Sequence, residues 1–192
     1  MITEKEIMGI LEETEALKEG HFKLTSGMHS AQYVQCAMLL RFPDKAEIIA
    51  KALAEKFKDE KIDLVVGPAV GGIIIAYEVA RALGVPSIFA ERDQGEMTLK
   101  RGFSIKPGER VVVIEDVITT GGSTQEVADL VTKLGGEVVA AGSIVDRSSE
   151  KNLKISVPFR SLIKLKIPVY KEEDCPLCKE GSKPYKPGSR NI

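Results

Sequence analysis

Several things are scarce in this chain, and each scarcity narrows what it can do. Its 192 residues contain three cysteines (Cys36, Cys175, Cys178) and two histidines (His21, His29). Three cysteines without a disulfide-type pattern fit a reducing compartment, so a cytoplasmic location is expected. The apolar runs are the length of core strands and fall far short of a membrane span. The opening residues, MITEKE, have no apolar signal region, so export is not expected. A net charge of −1 leaves no basic excess for generic nucleic-acid binding. There is no internal repeat and no low-complexity tract. What remains is an ordinary globular balance, 43% hydrophobic and 29% charged, at a length suited to one α/β core.

The most informative segment is 111–123, VVVIEDVITTGGS. Residues 111–114 read as a parallel strand buried on both faces, because no polar residue alternates with the apolar ones. Glu115 and Asp116 follow where the strand leaves the sheet, at the carboxyl edge where open α/β sheets bind ligands. Thr119, Thr120, Gly121 and Gly122 supply small side chains and exposed backbone N–H groups. Ser123 with Glu126 forms an S-x-x-E capping box, which starts a helix at about Ser123–Thr124. Free N–H groups and the dipole at that helix start make a cup for a phosphate. Two acids beside such a cup would repel a bare phosphate unless they had hydroxyls or a metal to hold. The combination fits a sugar phosphate, with the acids accepting hydrogen bonds from ribose hydroxyls.

The rest of the pattern supplies a scaffold. Residues 3–19 put Ile7, Ile10, Leu11, Thr14 and Leu17 on one face of a helix capped by Thr3 with Glu6. Short strands are expected at 22–24 and 32–35, and a helix at 44–57 behind Pro43. Strand and helix then alternate: strand 62–66, helix 71–83 stopped by Gly84, strand 87–90, strand 110–114, helix 124–134 ended by Gly135-Gly136, and strand 137–145. That alternation predicts an α/β fold with a doubly wound, mainly parallel sheet over about 60–150. The N-terminal segment (about 1–40) and the tail (151–192) would fold over the sheet's active edge as a small hood, the whole forming one domain, 1–192.

Other segments carry candidate chemistry. Residues 67–72, GPAVGG, form a small-residue turn between strand and helix where backbone can approach an anion. The polar stretch 91–106 has no clear periodicity, and a structureless segment of that length is usually functional or disordered. Arg147 follows the last parallel strand and could grip a planar carboxylate at two points, or merely pair with Asp146 or Glu150. Cys175-x-x-Cys178 is one metal half-site at most, since Cys36 lies in a distant strand. A zinc site would need a second subunit or another source of ligands, so an unligated pair is the favoured reading. His29, beside a Ser-Gly turn, reads as an exposed loop residue, with contact to substrate as the alternative.

The 111–123 segment closely resembles the phosphoribosyl-pyrophosphate motif of the type I phosphoribosyltransferases. FKLTSG at 22–27, followed by Ser30 and Tyr33, and VGPAVGG at 66–72 narrow the resemblance to orotate phosphoribosyltransferases. The tail, CPLC at 175–178 through KPGSR at 186–190, is similar to that of one bacterial branch. The resemblance implies a type I phosphoribosyltransferase fold. It implies transfer of phosphoribosyl from 5-phosphoribosyl 1-pyrophosphate (PRPP) to orotate, giving orotidine 5′-monophosphate and pyrophosphate in pyrimidine synthesis. Mg²⁺ would be carried on PRPP, with no dedicated protein ligands. A homodimer is implied, its mobile loop 91–106 serving the partner's active site.

Carried onto this chain, Thr119, Thr120, Gly121, Gly122 and Ser123 would hold the 5′-phosphate, with Val117 and Ile118 leading into that turn. Glu115 and Asp116 would hold the ribose hydroxyls, and Arg147 with Thr119 the orotate. Lys100, then Arg92, then Arg101, are the candidates for the cation that assists the leaving group. Three departures stand out: Gly71 where the family often has lysine, no histidine in the loop, and Thr25 where a lysine precedes the Ser-Gly. A transferase for a purine or another base, and a non-catalytic PRPP sensor, are the alternatives these departures leave open.

Overall fold

Burial on both faces of one sheet, more than propensity, assembles this molecule. The computed structural model describes residues 2–24, 26–149 and 151–187. β1 (Leu17–Lys23) and β2 (His29–Val34) form a separate antiparallel pair. The other strands are β3 (Leu64–Pro68), β4 (Ser87–Asp93), β5 (Glu96–Thr98), β6 (Arg110–Ile118), β7 (Glu137–Asp146) and β8 (Phe159–Lys164). They make one sheet in the order β5-β4-β3-β6-β7-β8, parallel except for the β4–β5 hairpin. The helices are α1 (Glu4–Glu13), α2 (Ala37–Leu40), α3 (Pro43–Glu55), α4 (Gly72–Leu83), α5 (Gly122–Lys133) and α6 (Pro176–Lys179). Among the described residues no helix is long and apolar enough to cross a membrane.

Both faces of the sheet are covered, which is why its strands read as unbroken apolar runs. Val65, Val112, Ile114 and Ile144 join Leu11, Ile49, Leu53, Ile75 and Val79 on one side, under α1, α3 and α4. Leu64, Val66, Val111 and Val113 meet Val127 and Val131 of α5, with Ile105, on the other. From β3 the chain moves one way to β4 and later returns to place β6 on the opposite side. The crevice outside the carboxyl ends of β3 and β6 is therefore the topological switch point, the preferred ligand site of such sheets.

The elements depart from the sequence expectation in instructive places. The Thr3–Glu6 capping box forms, with Thr3 N donating to Glu6 Oε2 at 2.7 Å. The helix nevertheless ends at Glu13, and Glu15 takes a left-handed φ of 56° that turns the chain into β1. Leu17 is thus a strand residue. α2 was not anticipated, and Cys36 is its N-cap residue, not part of a strand. Residues 91–106 are not structureless: Glu91–Asp93 prolong β4, β5 pairs back onto it, and Ile105 is buried in the core. The sheet extends past residue 150, because β8 adds to β7. Ile7 and Leu11 of α1 belong to the main core. The β1–β2 pair and the tail, by contrast, pack on each other: Tyr170 bridges to His29 and Tyr185 to Phe22.

Candidate active site

The acid pair lies inside β6, not beyond its end. Pairing with β7 continues through Glu115↔Ser143 and Ile118↔Asp146, so the strand carries both carboxylates out to the switch point. Exposed Thr119 and Thr120 follow, and the chain then reverses at Gly121, whose φ is 74°. α5 starts at Gly122 with Gly121 as N-cap and no side-chain cap. The expected Ser123–Glu126 box is therefore not made: a left-handed glycine does the turning, and Glu126 pairs with Arg92 instead. An uncapped start leaves its first N–H groups without partners inside the helix. Glu115 and residues 117–124 line a cavity of about 90 Å³ at this point.

The turn admits nothing but glycine at 121. A Cβ there would lie 2.5 Å from Ile155 Cγ1, and Lys154 N donates to Thr120 O at 2.9 Å, so the 153–155 segment is laid against the cup. A left-handed non-glycine residue itself costs about 1–2 kcal/mol. Gly121→Ala is expected to lower stability by about 2 kcal/mol and the melting temperature by roughly 4–8 °C. An unchanged melting curve would mean that the turn is not held as described.

The carboxylates are crowded by design of the backbone. A Cβ on Gly71 would stand 2.8 Å from Asp116 Oδ1, and one on Gly72 would stand 3.1 Å from Glu115 Oε1. Gly71, placed where the family often has lysine, thus leaves room for the start of α4 to approach the acids. Burial pushes the Glu115 carboxyl well above the usual carboxylate range, and the adjacent Asp116 charge pushes it further. Burial raises Asp116 too, opposed by hydrogen bonds from Glu115 and from Val117 N, which donates to Oδ1 at 2.8 Å. Two neighbouring, partly buried acids that resist ionisation are poised to receive hydroxyl donors or a cation. Cys36 lies beneath them, its thiol 3.9 Å from Asp116 O and pushed well up by burial, so it stays neutral.

Arg147 sits across the crevice. Its backbone N–H donates to Ile118 O at 2.7 Å, anchoring it beside the end of β6. The neighbour expected to neutralise it does not: Asp146 is buried, accepts from Ser148 N and pairs with Lys164. Among the described residues no carboxylate pairs with the Arg147 guanidinium, and its buried Nε has no partner. Glu150, the other expected partner, lies outside the described residues. Burial lowers the guanidinium's affinity for its proton, while the nearby Tyr33 raises it. Tyr33, itself shifted upward by burial, lies between Arg147 and Asp116 in its interactions. Of the N-terminal segment, then, Tyr33 is the residue that feels the charges of the site; Lys23 is exposed on β1, and Thr25 is outside the described residues.

The loop cations are placed differently. Lys100 pairs with Asp93 at 3.3 Å, Arg101 with Glu91 at 3.2 Å, and Arg92 with Glu126 while donating to Gly95 O. None of these partners belongs to the Glu115–Asp116 site. His29 also departs from expectation. It is not an exposed loop residue: it and His21 are both buried, and both face Cys175 and Cys178. The two residues were singly legible, but nothing in their spacing from the cysteines signalled that they meet. Residues 188–190 of the tail motif lie outside the described residues.

Residues 36–170 match the family model of the phosphoribosyl transferase domain. The chain is 55% identical over 190 residues to an orotate phosphoribosyltransferase of Caldanaerobacter subterraneus subsp. tengcongensis, covering 98% of this chain and all of that one. This chain belongs to the orotate phosphoribosyltransferase family. A Thermotoga maritima member is 54% identical, with 97% of this chain and 99% of that protein aligned. The crystal structure of the Aeropyrum pernix orotate phosphoribosyltransferase superposes with a TM-score of 0.71 at 26% identity, covering 83% of this chain and 94% of that one. The family's fold is thus the sheet described above, with the acid pair, the glycine turn and Arg147 gathered at one end of it.

Proposed function

We propose that this chain transfers phosphoribosyl from PRPP to N1 of orotate, with Glu115, Asp116 and residues 119–123 holding the sugar phosphate. The observation that carries the reading is the partly buried, adjacent acid pair beside an uncapped helix start at the switch point. The cup takes the 5′-phosphate on backbone N–H groups and the Thr119, Thr120 and Ser123 hydroxyls. The acids accept hydrogen bonds from the ribose hydroxyls, and Arg147 with Thr119 takes the orotate carboxylate. As the C1–pyrophosphate bond lengthens, positive charge grows on the ribose ring. The two carboxylates beneath it stabilise that charge electrostatically, with little proton transfer.

Among the described residues no third acid or histidine converges on Glu115 and Asp116. Two oxygen donors are too few to hold a Mg²⁺ of their own, which accords with an ion carried on PRPP. When bound, the ion would neutralise charge on the leaving oxygens. Lys100, Arg92 and Arg101 are proposed to add cationic charge there after the hairpin shifts. The present Lys100–Asp93 pair is solvent-exposed, and exposed pairs contribute only about 0–1 kcal/mol, so it opposes such a shift weakly. Lys100→Ala is expected to lower kcat about tenfold or more; an untouched rate would remove Lys100 from that role.

A homodimer is part of the proposal. Val70, Ile74 and Tyr77 follow helical spacing and remain exposed, an apolar stripe suited to a second copy. Three unpaired cysteines accord with a reducing cytoplasm. The deciding assay is Mg²⁺-dependent loss of orotate absorbance on adding PRPP. A preference for purine bases, or PRPP binding without turnover, would overturn the reading.

A further inference from the structure

We propose that His21, His29, Cys175 and Cys178 form a structural zinc site that fastens the C-terminal tail to the β1–β2 pair. Their ligand atoms all lie within 4.8 Å of one another. His21 Nε2 is 3.2 Å from His29 Nδ1, 3.5 Å from Cys175 Sγ and 3.6 Å from Cys178 Sγ, and His29 Nδ1 is 3.2 Å from Cys178 Sγ. A tetrahedral zinc with ordinary Zn–N and Zn–S bonds sets its ligands roughly 3.3 Å (two nitrogens) to 3.8 Å (two sulfurs) apart. Four of the six separations already match the edges of that tetrahedron, and the other two are within 4.8 Å.

The surroundings favour a closed metal site over four unrelated side chains. His29 and Cys175 are fully buried and His21 nearly so. The far nitrogen of His21, Nδ1, lies 3.2 Å from Ser182 Oγ, a contact that can hold its proton there and leave the Nε2 lone pair facing the cysteines. Cys175 caps α6 and Cys178 follows one turn later, so both sulfurs leave the helix on the same side. Without a metal, the two ring nitrogens that face each other can share only one N–H, and the thiols are weak donors. A metal ion would use all four lone pairs at once. Two thiolates and two imidazoles in closed tetrahedral array favour zinc and leave no open position for catalysis.

The location explains what such a site would do. Tail residues flank the strand pair on both sides: Tyr170 exchanges hydrogen bonds with His29, at 2.7 and 2.9 Å. Tyr185 O accepts from Lys23 N at 2.8 Å, and Tyr185 N donates to His21 O at 2.7 Å. Beyond β8 the tail's regular structure is one 3₁₀ turn (Glu172–Asp174) and the four-residue α6. So small a module has little core of its own and gains most from a metal staple. Its ligands are split between residues 21–29 and 175–178, which is why CxxC read alone resembled an orphan half-site.

The test uses the full-length chain expressed in zinc-supplemented medium and purified without chelator. Elemental analysis is expected to give about one zinc per chain. Exchange with Co²⁺ should produce the intense visible bands of a tetrahedral site and a thiolate charge-transfer band. Cys178→Ser should lose zinc and the charge-transfer intensity, and hydrogen exchange over residues 165–187 should accelerate relative to the α5 core. The wild-type metal count does not depend on whether the variant folds. Less than about a tenth of an equivalent of zinc with no cobalt spectrum would overturn the site. So would a Cys175–Cys178 disulfide in the freshly purified protein, or full zinc retention by Cys178→Ser.

Discussion

Asp116→Asn is expected to reduce kcat about 10²–10³-fold while leaving the protein folded and at least as stable as the wild type. The amide keeps the shape of the side chain, and its oxygen can still accept from Val117 N. On the proposed reading it removes a charge that serves the ribose, and loss of one preorganised electrostatic group typically costs that much. The stability side has the opposite sign. Burial lifts both carboxyls above their unfolded values, so the native state binds more protons than the unfolded state between the two ranges. The pair's own contribution is therefore most favourable below the unfolded carboxylate range of about 4 and is lost as pH rises through the raised native values. In Asp116→Asn that decline should flatten, and near neutral pH the melting temperature should rise by roughly 2–4 °C for each kcal/mol relieved. Thermal melts from acid to neutral pH, read beside kcat, check both halves. Near-normal turnover would eliminate the ribose-holding role, and equal pH slopes would eliminate the electrostatic strain.

The second large effect belongs to Arg147. Arg147→Ala should raise the KM for orotate about 10–100-fold, the span of a lost charge-assisted contact of about 1.5–3 kcal/mol. The KM for PRPP should change little, because the cup at Gly121 and the acid pair are untouched. Arg147→Lys should fall between the two, since an ammonium keeps the charge but not the two-point geometry. Steady-state kinetics with each substrate varied in turn separates the outcomes. Equal losses for both substrates would mean that Arg147 supports the fold of the crevice and does not hold the base. The guanidinium's half-buried setting makes the prediction sharp: Asp146 is already committed to Lys164 and Ser148, so it does not neutralise Arg147.

Particular residues show why some of this was legible in advance. The strands of the parallel core were readable because Val111, Val112, Val113 and Ile114 are buried on both faces, which leaves an apolar run and no alternation. Thr3 with Glu6 capped a helix as expected because both partners of the box are local. Ser123 with Glu126 has the same spacing, yet Gly121 starts α5 two residues earlier and Glu126 turns to Arg92. A short motif is decisive only where nothing distant competes for its side chains. Residues 91–106 looked structureless because their pattern is set by pairing with β4 and by one buried anchor, Ile105, neither of which is periodic.

From the sequence alone came the chemistry available at the carboxyl end of β6: two acids, a small-residue turn and the order of alternating elements that puts them at a sheet edge. These follow from local spacing and hydrophobic pattern, which act over a few residues. Tertiary structure decided the rest. It set Gly71 and Gly72 against the acids, gave Arg147 a half-buried place beside Tyr33, turned the loop cations onto neighbouring carboxylates, and brought His21 and His29 to Cys175 and Cys178. The physical reason is that these contacts are made by sheet order, chain crossing and hairpin pairing, which leave no periodic trace in the chain, and His21 and Cys175 are 154 residues apart.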